Sequence, residues 1–345
     1  MSAPPEPRTE PAAGPADRLR GAGHRLLPTR LLSALTRRLA RIRRPALKDR
    51  LNRLLVRRHG LDLGEAMAAA PEAYPSLNAL FTRALRPGAR PLPEDPRALA
   101  CPCDGTVSAA GHLDGEQLLQ AKGLPYTVAE LLGGLDPAPF RDGAFVTLYL
   151  SPRDYHRFHA PLDARLMAER HVPGRLLTVA PAAVRSIPGL FVRNERHVTC
   201  WQTAAGPLAY IPVGAVNVGS IETAWGGEVG DPPGRRRDYP GGQGPRFQRG
   251  DELGRFNLGS TIILILPAGT VAWADDLEPG RRVRMGEAIG RLAGCPAPGE
   301  AGDRALGDRG AAPPPAHGRE AAQLASSSTS SASSSEVGAP ETPLR

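Results

Sequence analysis

The chain has 345 residues, of which 39 are Gly and 37 Pro, with 41% hydrophobic and only 5% aromatic content and a formal charge of +8. That length allows one large domain or two small ones, and the Gly and Pro load argues against a helical bundle and for many turns and short strands. No apolar run nears the roughly 20 residues of a membrane span, and the first twenty residues lack the apolar stretch of a secretory signal. Four cysteines (Cys101, Cys103, Cys200 and Cys295) are too few for a disulfide scaffold and fit a reducing cytoplasm.

Residues 1–23 are rich in Pro, Ala and Gly and read as a disordered leader. Residues 24–74 begin with most of the basic charge: His24 to Gly60 carries eleven Arg and one Lys against the single Asp49, so the rest of the chain sums to −3. Leu31, Leu32, Leu35, Leu39 and Ile42 fall on one face of a helix, with Arg30, Arg37, Arg41 and Arg44 opposite. Pro45 breaks that helix and starts the next, whose stripe of Leu47, Leu51, Leu54 and Leu55 ends at Gly60. Such helices either pack their stripe on a core or lie in a membrane interface with arginines towards anionic lipid. Nucleic acid is not the expected partner, since the basic stretch has no aromatic residues on which bases could stack.

From residue 75 to 294 the pattern changes to short β-branched runs punctuated by Gly and Pro: 144–150, 207–221, 260–267 and 270–274. They predict a compact, mostly-β core. Residues 229–251, rich in Gly, Pro and Arg, read as a loop. Residues 295–345, with a run of serines at 326–335, read as a disordered tail.

Three clusters inside the β-rich region could carry chemistry. Asp104-Gly105-Thr106 follows Cys101-Pro-Cys103; Asp-Gly is ordinarily a turn, and the cysteines lack a second pair at zinc spacing. Tyr155-His156-Arg157-Phe158-His159 follows a predicted strand, and its histidines could be half of a zinc site or two proton-transfer groups. Leu258-Gly259-Ser260-Thr261 precedes a very apolar run. There Gly259 leaves its carbonyl uncovered beside the Ser260 hydroxyl, which a base could turn against its own peptide bond.

In this order and spacing, the three motifs resemble the bacterial, pyruvoyl-dependent phosphatidylserine decarboxylases. The likeness covers roughly residues 75–292 and includes 119–132, 189–198, 213–223 and 250–267, with a looser likeness at 76–92. It implies a proenzyme in which Ser260 attacks the Gly259 carbonyl, giving an ester that undergoes β-elimination. The new terminus then loses ammonia to become a pyruvoyl group, the only cofactor implied, with no metal. The products would be a β chain of residues 1–259 and an α chain of 260–345, paired as a heterodimer and open to higher assembly. A Schiff base between that ketone and the substrate amine would supply the electron sink that no ordinary side chain offers.

By the same resemblance, His159 is the base for self-cleavage, Asp104 its orienting carboxylate, and His156 the group that positions the substrate carboxylate and protonates the carbanion. Exchange of the two histidines' roles is equally compatible with the sequence. A lipid substrate favours the interfacial reading of the basic helices, because phosphatidylserine attracts about 1 kcal/mol per nearby cation. The expected place is therefore the cell membrane, peripheral, on the cytoplasmic side. The expected fold is α+β, with a mostly-β catalytic core of hammerhead or hybrid type, suggested by 278–292, after N-terminal amphipathic helices. Three alternatives stand beside this reading: a pyruvoyl decarboxylase of a soluble amino acid, a zinc hydrolase using His156, His159 and Asp104, and a membrane-binding homologue without activity.

Overall fold

The computed structural model describes residues 8–9, 29–120, 124–215, 220–230, 232–257 and 260–293. The expected leader (Arg8–Thr9 apart), Gly259, Cys295 and the expected tail lie outside the described residues.

After the short strand Arg8–Thr9 come two helices, α1 (Thr29–Ala40) and α2 (Pro45–His59). Pro45 begins α2, where its missing N–H costs nothing, and Gly60 ends it with a left-handed φ of 63°. The Gly60 N–H closes on the Val56 carbonyl at 2.8 Å. Both breaks follow the sequence pattern. Leu55 and Val56 of α2 pack on a small cluster of Leu61, Leu63, Ala66, Tyr74 and Leu80, so residues on either side of position 75 share one core.

The rest is mostly β. The strands that matter for the site are β1 (Gly105–His112), β2 (Ala144–Leu150), β3 (Arg157–His159), β4 (Ala164–Val172), β5 (Arg196–Thr203), β6 (Gly206–Gly214), β7 (Ile221–Thr223), β8 (Glu252–Phe256) and β9 (Ser260–Leu266). A ten-stranded sheet runs Arg8–Thr9, β1, β2, β9, β6, β5, β4 and Arg236–Asp238, with Arg246–Phe247 also on β4 and Arg282–Val283 on β1. A four-stranded sheet contains β7, β8 and β3. One face of the large sheet, through Leu148, Leu150, Ile262, Leu264 and Tyr210, packs on Phe158, Phe256 and Ile221 of the small one. The other face, through Phe145, Ile211, Ile263 and Ile265, is covered by Leu131, Leu132, Ile187 and Phe191 from short helices and loops. Period-two alternation thus sends odd and even residues of β9 into two separate cores.

Two expectations are corrected. The predicted loop at 229–251 contributes Arg236–Asp238 and Arg246–Phe247 to the edge of β4; pairing with an existing strand, and no pattern of its own, makes that segment extended. Asp104-Gly105 is not a turn, because Gly105 opens β1. A Cβ there would lie 2.6 Å from the Tyr149 carbonyl oxygen, so glycine is needed for close approach of two strands. The run 207–221 divides between the two sheets: β6 ends at Gly214, and β7 begins at Ile221.

Candidate active site

Ser260 is the first residue of β9, opposite Leu150 on β2 and Gly214 on β6. It is fully buried, and its hydroxyl has no hydrogen-bond partner among the described residues. An orphaned hydroxyl in an apolar interior costs about 1–3 kcal/mol, which marks it as held for something other than stability. Its neighbour at the expected cleavage point, Gly259, lies outside the described residues.

His156 sits immediately before β3, packed 4.0 Å from the Phe81 ring between centroids. Its carbonyl accepts the N–H of Phe256, four residues ahead of Ser260. Its Nδ1 meets the Asp154 carbonyl at 2.9 Å, and a carbonyl only accepts, so the proton of the neutral ring lies on Nδ1. That leaves Nε2 with a lone pair, buried and without a partner among the described residues. Burial pushes the His156 pKa down to about 4, against the opposing pull of the Asp154 carbonyl. It is a neutral base at pH 7.

His159 is tied at both ends. Nδ1 donates to the Gly250 carbonyl at 2.8 Å and Nε2 accepts from the Tyr155 hydroxyl at 3.0 Å. Burial lowers its pKa too, with the Gly250 bond opposing. Tyr155 is itself pushed up by burial, so its hydroxyl keeps its proton for that bond.

Asp104 is buried at the head of β1, but its carboxylate does not bond His159. Arg90 Nε and Nη2 clasp its two oxygens at 2.8 and 2.5 Å, and the Met285 N–H donates at 2.8 Å. Its negative charge nevertheless favours the protonated forms of both His156 and His159. The expected direct pair is thus replaced by an arginine-held carboxylate acting through space.

Several further groups at the site were not singled out from the sequence. Arg90 is one. Arg83, buried, donates to the Arg153 carbonyl at 3.1 Å, and its Nε and Nη1 have no partner among the described residues. Asn257 links the segment before Ser260 to Ser220 at 2.8 Å and to Asn78 at 3.0 Å. Tyr155 could have been found from its place in the Tyr-His-Arg-Phe-His run, and Asn257 from its place just before Leu-Gly-Ser-Thr; no chemistry-bearing motif signals Arg83 or Arg90.

A zinc site on His156, His159 and Asp104 is not supported. The Asp104 oxygens and both His159 nitrogens are engaged, and among the described residues no group of three or more His, Cys, Asp or Glu is arranged to hold a metal. Cys101 and Cys103 are free and buried, with Cys101 Sγ on the Cys103 carbonyl. The residues do fit a pyruvoyl group made in place: its precursor hydroxyl and the His156 Nε2 lone pair are both buried and unpartnered among the described residues.

A family model described as phosphatidylserine decarboxylase matches residues 77–291, and a second, described as PSD, matches 19–60. A phosphatidylserine decarboxylase proenzyme of Halorhodospira halophila is 71% identical over 284 residues, covering 82% of this chain and 97% of that protein. Proteins of the same name from Methylococcus capsulatus and Nitrosococcus oceani are 47% and 48% identical, covering 77% of this chain and 93% and 89% of theirs.

Proposed function

This chain belongs to the phosphatidylserine decarboxylase family, and from that premise we propose that it is a self-processing decarboxylase that converts phosphatidylserine to phosphatidylethanolamine and carbon dioxide. The observation that carries this reading is the fully buried, unpartnered Ser260 hydroxyl at the head of a central strand. A hydroxyl destined for removal needs no permanent partner.

In self-processing, the Ser260 proton passes to a base as Oγ attacks the carbonyl carbon of residue 259. His159 is assigned that role; Gly250 fixes its tautomer through Nδ1, and Tyr155 sits on the accepting Nε2. The C–N bond breaks as the ester forms, elimination frees the carboxylate of residue 259, and water releases ammonia from the new terminus. Asp104, held by Arg90, supplies the charge that favours the imidazolium formed on the way.

The resulting pyruvoyl group supplies an electron sink for the carbon that loses carbon dioxide. His156 is assigned the proton traffic of that reaction. Its Nε2 takes the proton given up by the substrate ammonium and returns it to the carbon after carbon dioxide leaves. The opposite charges of Arg83 and Asp104 act on His156 in opposite directions, Arg83 lowering and Asp104 raising its pKa.

No helix among the described residues is long and apolar enough to cross a membrane. The enzyme reaches its substrate from the cytoplasmic face as a peripheral protein, with the helices of 24–74 towards the bilayer and the catalytic region at 75–294. It works as a pair of its own chains, 1–259 and 260–345.

Intact mass measurement of the purified protein beside a Ser260→Ala variant tests the reading. Two chains parting after Gly259, the smaller blocked by pyruvoyl, are expected from the parent and one uncut chain from the variant. A folded parent that stays whole would overturn it.

A further inference from the structure

Asp104 is held in a closed ring of polar contacts, most of which the assigned roles leave unused. Arg90 forks onto both carboxylate oxygens, with Nε on Oδ1 at 2.8 Å and Nη2 on Oδ2 at 2.5 Å. Its third nitrogen, Nη1, donates to Glu65 Oε2 at 2.8 Å and to the Ala89 carbonyl at 2.7 Å. Arg284 donates to the other Glu65 oxygen, and the N–H of the next residue, Met285, returns to Asp104 Oδ1 at 2.8 Å. The ring also crosses the proposed cut, since positions 65, 90 and 104 precede Ser260 and positions 284 and 285 follow it.

Hydrogen bonds connect this ring to the assigned base on one side and to the N-terminal helices on the other. The His159 N–H donates to the Pro102 carbonyl at 2.8 Å, which ties the base to the chain two residues before Asp104. The Asp104 charge is one of those opposing the burial-driven fall in the His159 pKa. On the far side, the Glu65 carbonyl accepts the Arg86 N–H at 2.8 Å, and the Met67 N–H reaches the Ala84 carbonyl at 3.0 Å. Leu63 and Ala66, which flank Glu65, belong to the cluster on which α2 packs. Stability is a poor reason for such a ring. The Arg90 and Asp104 side chains are only 10% and 11% exposed, and a buried ion pair gains little beyond what its desolvation costs. What a guanidinium fork does supply is a fixed direction for the carboxylate, which a lysine ammonium would not.

We propose that Arg90 and Glu65 are positioning residues for self-processing, acting on His159 through the place and direction they give to Asp104. The inference rests on the self-processing reading given above and deepens it. Arg90 aims the carboxylate, while Glu65, itself held by Arg284, fixes the fork that aims it. Both act at one remove from the reacting atoms. Misplacing a group in such a constellation by about 1 Å costs about a hundredfold in rate, so a slack Asp104 shows first in the speed of the cut. The same contacts run from the cluster under α2 to the base, so the N-terminal helices and the processing site share one support.

The test follows the cut itself. Full-length chain pulse-labelled in cell-free translation starts whole, and denaturing electrophoresis over time gives the rate at which it divides. Arg90→Gln should divide about a hundredfold more slowly than the parent, and Arg90→Lys, which keeps the charge and loses the fork, about tenfold more slowly. Glu65 is 40% exposed at its side chain, so Glu65→Gln should leave Tm within about 2 °C of the parent and still slow the cut severalfold. Asp238→Asn breaks the exposed pair with Arg236, far from the ring in sequence and contacts, and should divide at the parent rate. Arg90→Gln dividing as fast as the parent would overturn the proposal. So would a slow Arg90→Gln that Arg90→Lys does not relieve and Glu65→Gln does not share, because the arginine would then serve the fold alone. A folded parent that never divides would remove the self-processing reading, and this proposal with it.

Discussion

His156 and His159 lie three residues apart, yet their outward ring nitrogens face different surroundings. Nε2 of His156 is a buried lone pair with nothing on it among the described residues, while Nε2 of His159 already holds the Tyr155 hydroxyl. Burial lowers the His156 pKa to about 4, so the ring stays neutral at pH 7 and its Nε2 lone pair is available to a bound substrate. That suits a group which acts after substrate binds. His159, whose ring is fixed from both sides, suits a reaction needing no substrate. The expected outcome is therefore a split phenotype. His159→Ala should remain a single uncut chain, and His156→Ala should divide into two chains yet lose about a thousandfold in carbon dioxide release. Denaturing mass measurement and a product assay on the same preparations decide this; the opposite pattern would exchange the two assignments.

At the scale of elements, α1 and α2 carry an apolar stripe that the rest of the molecule only partly covers. Ser33 and Ala40 are buried and Leu55 packs on the neighbouring cluster, but Leu35 is 63% exposed and Leu54 59%, with Leu39 and Leu47 also open. One side of these helices therefore packs on the neighbouring cluster, and the other stays apolar and flanked by arginine. Placed in a lipid interface, each leucine contributes about 1.5–3 kcal/mol on full burial. Leu35→Asp with Leu54→Asp should weaken co-sedimentation with phosphatidylserine vesicles by tenfold or more, while cleavage into two chains proceeds normally. Undiminished sedimentation would return the stripe to a packing role. These helices were legible in the sequence because their pattern is local: a 3.6-residue period, Pro45 at a start and Gly60 at an end. The same holds for β2 and β9, runs of apolar residues, and for the residue types at positions 104, 156, 159 and 260. What stayed hidden depends on chain brought from far away. Asp104 accepts from Arg90 across 14 residues and from the Met285 N–H across 181. The edge strands within 229–251 take their form from β4, and the ring that holds Asp104 is assembled from segments near positions 65, 90 and 284.

For the whole molecule, the proposed cut ahead of Ser260 falls where it would break the backbone without breaking the core. All seven residues of β9 are buried, and the strand lies between β2 and β6, pairing with each in register from Ser260 to beyond Ile262. Its even residues enter the core under the small sheet and its odd residues the core under the short helices. Self-cleavage ahead of Ser260 would leave those ladders and both cores intact, so the two chains should co-elute in native gel filtration and part only in denaturant. Unfolding then becomes dissociation as well. The unfolded state of the processed enzyme is two molecules, and mass action favours the folded pair as concentration rises. Each tenfold increase contributes about 1.4 kcal/mol, which for a domain of this size is roughly 3 °C in Tm. The Ser260→Ala proenzyme unfolds to one chain, and its Tm should not move with concentration. Calorimetry of both forms across a hundredfold range makes the comparison. A processed form whose Tm is as indifferent to concentration as that of the proenzyme would mean that β9 does not hold the two chains in one cooperative unit.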